Sequence, residues 1–272
     1  MNADVLLAAH RGYSGRYPEN TMRAFREAIG LDIDQIETDV HMAADGNIVI
    51  IHDSDPYRVT GVHGRIADMT LRDIKALDAG SFKGTAFAGE RIPLLEEFAE
   101  LVKDTKLTFN IELKDYPNEV GEDRAKESAD RTLAILDRYG ILDRCMINSF
   151  SARILCYVHS VAPDRPLHTY YPEYISGDYA QSPCYPLSQW ACVFHRYPKD
   201  SGMPAPENPV APKEWFGNVY ALGMTPCVYF PQETEADLVR ACEYGARLVT
   251  SNTPEFAGDV LRRHGFRTGR TG

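Results

Sequence analysis

The chain has 272 residues, with 39 acidic against 29 basic side chains, a formal net charge of −10 and six cysteines. That length admits one large or two small domains and excludes a peptide hormone or a disulfide-stapled scaffold. Its 44% hydrophobic and 25% charged residues are globular proportions, and the acidic balance speaks against a general nucleic-acid binder without excluding a small anionic substrate.

The first apolar run, Val5 to Ala9, is five residues long and carries no basic segment before it. It is too short for a signal-peptide core. No stretch approaches the roughly 20 apolar residues of a membrane span, so no stable membrane insertion is expected. Cys145, Cys156, Cys184, Cys192, Cys227 and Cys242 are scattered without a CxxC pair, which reads as reduced core thiols of a cytoplasmic protein.

Apolar runs recur near 5–9, 35–40, 107–113, 145–148, 167–171, 191–195, 226–230 and 247–250, and helical patterns follow most of them. Thr21 to Ile29 carries Ala24, Phe25, Ala28 and Ile29 on one helical face, and Asn20 reads as its N-cap. Thr70 to Leu77, Glu122 to Tyr139, Ser151 to Val161 and Glu233 to Tyr244 are further helices, with Gly245 as a stop signal. Eight buried strands with intervening helices predict an α/β fold, a (β/α)8 barrel. A doubly wound open sheet is the rival, weakened because no GxGxxG follows the first strand. Two segments break the rhythm. Residues 54–92, with five glycines, read as an insertion between strand 2 and its helix. Residues 163–212 are rich in proline and tyrosine, including Tyr170, Tyr171, Tyr174, Tyr179 and Tyr185, and long loops of this kind tend to be functional.

In QIETDVHM, residues 35–42, strand alternation places Glu37 and Asp39 on one face and Ile36, Thr38 and Val40 on the other. The pair is either a solvated strand end or half of a hard-cation site, since adjacent carboxylates repel unless a cation lies between them. In FNIELK, residues 109–114, Glu112 and Lys114 repeat the spacing. A parallel barrel brings all strand C-termini to one rim, so Glu112 would meet Glu37 and Asp39, although a plain Lys–Glu pair is the alternative. His10 ends the first strand, followed by Arg11 and Gly12. His52 ends a segment that returns after the Asp45-Gly46 turn. Histidines suit proton transfer at neutral pH, and the Arg11 fork matches phosphate oxygens. Asp53 either orients His52 or serves a turn. The other six histidines read as structural or surface residues, and Trp190 and Trp215 as packing residues.

These residues, with PENT (18–21), Ala24-Phe25, RIPLLEE (91–97), NSF (148–150) and LVTSNTPE (248–255), resemble the glycerophosphodiester phosphodiesterase family over nearly the whole chain. The resemblance implies a single barrel domain over residues 1–272, with the 54–92 insertion over the active site. It implies His10 and His52 as the acid–base pair, with His52 as base and His10 as acid. Glu37, Asp39 and Glu112 would be ligands of one divalent cation, Mg²⁺ or Ca²⁺, and Arg11 and Lys114 the phosphate contacts. The implied partner is a small-molecule phosphodiester, hydrolysed to glycerol 3-phosphate and an alcohol. A lysophospholipase D, a phosphodiesterase for a sugar or opine phosphodiester, or a barrel that only binds phosphorylated ligands are the alternatives. A departure lies at the seventh barrel strand, where a Trp-Thr-Val-Asn-like stretch is usual and this chain reads Val228-Tyr229-Phe230-Pro231-Gln232. There Tyr229 either replaces a substrate-facing tryptophan or packs in the core, and Glu19-Asn20 could reach the rim.

Overall fold

A computed structural model of the chain describes residues 4–172, 182–195 and 208–268. Tyr174 and Tyr179 lie outside the described residues. In chain order the elements are β1 (Leu6–His10), α1 (Met22–Ile29), β2 (Gln35–Met42), β3 (Ile48–Ile50), α2 (Tyr57–Thr60), α3 (Leu71–Ala76), α4 (Leu95–Val102), β4 (Thr108–Leu113), α5 (Pro117–Val120), α6 (Glu122–Arg138), β5 (Cys145–Asn148), α7 (Ala152–Val161), β6 (Leu167–Tyr171), β7 (Trp190–Val193), α8 (Lys213–Ala221), β8 (Thr225–Tyr229), α9 (Glu235–Tyr244), β9 (Leu248–Ser251) and α10 (Pro254–Arg263). Eight strands pair in parallel in the order β1-β9-β8-β7-β6-β5-β4-β2, and the β1–β2 pairing closes the barrel. The fold is therefore the (β/α)8 barrel, and the open-sheet alternative falls. Each of the eight expected strands is a barrel strand.

The eight strands bury both faces, which is why they read as apolar runs rather than as strict alternation. Outward residues such as Ile36, Val40, Phe109 and Ile111 pack under the helices in the main core. Inward residues Ala8, Met146, Tyr170, Cys192, Cys227 and Leu248 fill the barrel. After β6 the described residues hold a 3-10 turn, Ser182–Leu187, where the other barrel strands are followed by α-helices.

Between β2 and α4 the chain leaves the barrel. After a turn with Gly46 at φ 82°, β3 runs back antiparallel to β2, with Val40 opposite Ile50. The segment then builds its own small core from Val49, Ile51, Val59, Ile66, Ile74 and Ile92. Its helix α3 carries a capping box between Thr70 and Asp73. This is the insertion expected from the glycine-rich stretch, and it starts earlier, at β3.

Helix α1 starts one residue later than the sequence implies. Thr21, not Asn20, caps it by accepting from the Ala24 N–H. Asn20 has φ 56°, a left-handed conformation that asparagine tolerates, because its side chain is drawn inward by other partners described below.

The contact between α1, α4 and β4 is aromatic. Phe98 meets Phe25 edge-on at 4.7 Å and Phe109 at 5.5 Å between ring centres, and all three are fully buried. Phe98→Ala should cost about 3–5 kcal/mol through lost burial and an unfilled cavity. Urea denaturation of the variant against the parent measures this, and a cost below about 1 kcal/mol would show that the site collapses to fill itself.

Candidate active site

Register builds the site. In the β1–β2 ladder His10 lies opposite Glu37, and in the β2–β4 ladder Glu37 lies opposite Asn110 and Asp39 opposite Glu112. Two residues apart on one strand and level across two strands, the three carboxylates share the inner face. Oxygen atoms of Glu37, Asp39 and Glu112 lie within 4.8 Å of one another, all buried. The Arg11 N–H donates to Glu37 Oε2 at 3.0 Å, with Arg11 itself at φ 54°. Gly12 follows at φ 74°, and a Cβ there would meet the Ala24 backbone at 2.8 Å, so the HRG turn requires glycine at that place.

Two cations face these three carboxylates. Lys114 Nζ is 2.7 Å from Glu112 Oε1 and 3.5 Å from Asp39 Oδ1. Arg11 Nε is 3.3 Å from Asp39 Oδ2. Burial raises the Asp39 carboxyl, but Arg11, Lys114 and His52 outweigh it and hold the group well below its ordinary value. Glu37 is pushed the other way, first by burial and then by Asp39 and Glu112. One buried negative charge is thus left without a matching cation. Asp39 Oδ1 is also buried without a hydrogen-bond partner. An all-oxygen donor set, an excess charge and an orphaned carboxylate oxygen fit a hard divalent cation.

The two histidines have different surroundings. His10 is buried, its Nδ1 is 2.6 Å from Asn252 Oδ1, and its Nε2 is 3.7 Å from Glu37 Oε2. Burial and then Arg11 depress it to about 3, so the ring is neutral. Tyr229 lies against it at 4.2 Å between ring centres. His52 is reached by a different route. The antiparallel β3 carries the chain back from beyond the rim, and the Ile51 N–H donates to the Asp39 carbonyl. His52 Nδ1 is 2.6 Å from Asp53 Oδ1. The orienting role open to Asp53 is therefore the one its geometry serves.

A chain of alternating charges links the two ends of the site. Arg11 donates to Glu19 at 2.7 Å, Arg58 forks Glu19 with two bonds of 2.7 and 2.9 Å, and Arg58 Nε reaches Asp53 at 2.5 Å. Arg58 belongs to α2 of the insertion, so the insertion helps to hold His52. Asn20 donates to Asp39 at 2.8 Å and accepts from Thr38, which explains its inward turn. Tyr170 donates to Asn148 at 2.6 Å and touches Glu112 at 3.3 Å.

All seven residues singled out in the sequence meet here. His10, Arg11, Glu37, His52 and Glu112 line a cavity of about 280 Å³ together with the aromatic rings of Phe150, Tyr170, Phe194 and Tyr229. Asp39 and Lys114 lie in the charge cluster behind it. Asn252, Arg58, Asn148 and Tyr170 were missed as site residues. Asn252 stands in the SNT motif at the last strand end, a position that could have marked it, whereas Arg58 lies on the four-residue helix α2, too short for any periodicity to give it away.

Comparisons agree with this geometry. Residues 10–182 match the model of the glycerophosphoryl diester phosphodiesterase family. A glycerophosphodiester phosphodiesterase of Caldanaerobacter subterraneus subsp. tengcongensis is 40% identical over 163 residues, 58% of this chain and 63% of that protein. The matched part thus spans less than two thirds of that relative. Among solved structures, an Oleispira antarctica phosphodiesterase in complex with the product sn-glycerol-3-phosphate superposes with a TM-score of 0.79 at 24% identity, covering 95% of this chain and 97% of the other. A glycerophosphodiester phosphodiesterase of Agrobacterium tumefaciens gives 0.72 at 22% identity, over 93% and 99%. At such identities the structures speak for the fold alone. No helix among the described residues is long and apolar enough to cross a membrane.

Behind the rim, Asp115 ties β4 to β2. It accepts from His41 Nδ1 at 2.8 Å and from the Met42 N–H at 2.7 Å, and His41 Nε2 in turn reaches the His52 carbonyl at 3.3 Å. Burial raises the Asp115 carboxyl, but His41, Ser128 and Met42 outweigh it and leave it below its ordinary 3.8. A lowered carboxyl contributes stability above its unfolded value and loses it as pH falls through the folded one. Asp115→Asn should therefore cost about 1.5–3 kcal/mol at pH 7. The gap to the parent should narrow below pH 3.8. Guanidinium denaturation at the two pH values measures it, and a pH-independent gap would mean that the charge is not what matters.

Proposed function

Since the chain belongs to the glycerophosphoryl diester phosphodiesterase family, we propose that it hydrolyses glycerophosphodiesters to glycerol 3-phosphate and an alcohol. The observation that carries this reading is the pair of histidines, His10 and His52, opening onto one cavity beside the buried carboxylate cluster. The cavity's volume lies near the lower end of the range for small-molecule sites.

Glu37, Asp39 and Glu112 would hold one divalent cation, Mg²⁺ or Ca²⁺, and such an ion when bound offsets phosphate charge and favours attack at phosphorus. Zinc suits this donor set less well, because it contains no sulfur or nitrogen. Arg11 lines the cavity, and Arg11 and Lys114 supply the fixed positive field around the phosphate.

His10 acts as the base. Its Nδ1–H donates to Asn252, which leaves the Nε2 lone pair free to take a proton from the attacking oxygen, and burial with Arg11 keeps the ring neutral beforehand. His52 acts as the acid. Asp53 holds the ring at Nδ1, and the far ring nitrogen gives its proton to the leaving alkoxide. This order exchanges the two roles expected from the sequence. The reason is the pair of neighbours: His10 Nδ1 meets the neutral amide of Asn252, whereas His52 Nδ1 meets the carboxylate of Asp53. The aromatic wall of Phe150, Tyr170 and Phe194 favours one second reading, a lysophospholipase D whose acyl-glycerol part rests there. Glycerophosphocholine and lysophosphatidylcholine as parallel substrates separate the two, by release of glycerol 3-phosphate or of lysophosphatidic acid.

Exhaustive chelation should abolish turnover and Mg²⁺ or Ca²⁺ should restore it, while Glu112→Gln should weaken metal binding in titration calorimetry with the barrel still folded. Full activity after chelation, or an unchanged dissociation constant in Glu112→Gln, would refute the metal assignment. His10→Ala and His52→Ala should each slow the reaction by about 10²–10⁴-fold and combine far less than multiplicatively. On a substrate with an acidic phenol as leaving group, His52→Ala should regain much of its rate and His10→Ala should not. Rescue of His10→Ala instead would restore the roles expected from the sequence.

A further inference from the structure

Below the oxygen-lined rim, the same barrel interior holds a second cluster of a different chemical character. His168 on β6, Cys192 on β7 and Cys227 on β8 present one nitrogen and two sulfur atoms that all lie within 4.8 Å of one another. The register explains the meeting. Cys192 and Cys227 are direct Cα partners in the parallel β7–β8 ladder, so their side chains emerge side by side. Tyr170 is the β6 partner of Cys192, and His168, two residues earlier on the same inner face, reaches up with its longer side chain. His168 Nε2 is 3.3 Å from Cys227 Sγ. His168 and Cys192 are 4% exposed and Cys227 is 1% exposed.

We propose that His168, Cys192 and Cys227 form a soft-metal site, for Zn²⁺ in the first instance, separate from the carboxylate cluster. The donor set is the Cys₂His face that zinc takes, and zinc bond lengths put neighbouring ligand atoms about 3.5–4 Å apart, which these side chains meet with small rotations. Binding replaces two thiol protons by one Zn²⁺, releases both protons to solvent and leaves a complex without net charge. That is the state an apolar barrel interior tolerates best.

A second observation points to a ligand. Asn110 on β4 is 1% exposed, its Nδ2 is 2.9 Å from His168 Nδ1, and its Oδ1 is buried without a partner. In the metal-free chain the amide donates to Nδ1, and the proton on Nε2 faces the Cys227 sulfur. A half-turn of the amide presents Oδ1 to an Nδ1–H instead. Then Nε2 is freed to ligate, and the orphaned oxygen gains its bond. This is the outer partner that metal-bound histidines ordinarily have. His168, Cys192 and Asn110 all line the cavity, which provides the entry path and an open fourth position.

The two clusters would sort metals by hardness. Mg²⁺ and Ca²⁺ would go to the oxygens of the rim and zinc to the sulfurs below. The soft site would also tie β6, β7 and β8 together, in the sector where a 3-10 turn follows β6 among the described residues.

The test uses the full chain, reduced under anaerobic conditions, stripped by chelator and then held in saturating Mg²⁺. Titration with Co²⁺ should give an intense near-ultraviolet thiolate-to-cobalt band that saturates at one equivalent. Zn²⁺ should erase the band, raise the melting temperature and release two protons per ion. Cys192→Ser and Cys227→Ser should each weaken Zn²⁺ binding by about 100-fold or more, and Asn110→Ala by about 10–100-fold. The parent spectrum decides the matter even where a variant folds poorly. No thiolate band in the fully reduced parent, or a band that forms in Cys227→Ser with the parent's intensity and affinity, would overturn the proposal.

Discussion

Three carboxylates buried within 4.8 Å of one another, against two cations, are the constraint on which the rest of the rim depends. Taking even a paired charge out of water costs several kcal/mol, and an unmatched one costs more. The chain meets this cost with specific partners. Lys114 lies between Glu112 and Asp39, Arg11 pairs with Asp39, Asn20 donates to Asp39 and the Arg11 N–H to Glu37, and Glu37 is left to hold its proton or a metal. The parallel register makes such crowding unavoidable, because residues opposite one another on neighbouring strands project their side chains to the same level.

That charge arrangement extends outward. Asp39, Arg11, Glu19, Arg58 and Asp53 alternate in sign from the barrel interior to the insertion, and the chain ends on His52. Each member is held by two neighbours, so the position of His52 is tied to the folding of the insertion and not to β3 alone. From the other side His41 and Asp115 tie the His52 backbone to β4. A histidine anchored from both sides can be poised at a definite distance from the cluster, which a loop residue on a bare rim could not be.

The interior also separates two kinds of donor. Oxygen atoms gather at the rim around β1, β2 and β4, whereas sulfur and imidazole gather lower down around β6, β7 and β8. The aromatic stack of Phe150, Tyr170 and Phe194 lines the same cavity, with Tyr170 and Phe150 only 3.6 Å apart between ring centres. The cavity therefore offers both charged, oxygen-rich surface and apolar, polarisable surface. A phosphodiester carries both characters, a charged centre and less polar substituents.

Fold class and rim were legible in the sequence for one reason: strands buried on both faces are continuous apolar runs, and polar residues at their ends break those runs conspicuously. Glu37, Asp39, Glu112, Lys114 and His10 stand at such breaks, so their meeting followed from the barrel alone, whereas His52 joins them through the return of β3 along β2. What the tertiary structure alone decided has no local pattern. Arg58 sits on the four-residue helix α2 of the insertion, and its bonds to Glu19 and Asp53 span 39 and 5 residues. Asn20 looked like a helix cap because the cap and the inward turn have the same short polar side chain. Cys192 and Cys227, 35 residues apart with no motif between them, become neighbours only through the β7–β8 ladder, and His168 joins them only across β6. The partner of His10 Nδ1 likewise has no local pattern, since Asn252 lies 242 residues away and only the β1–β9 pairing brings it there.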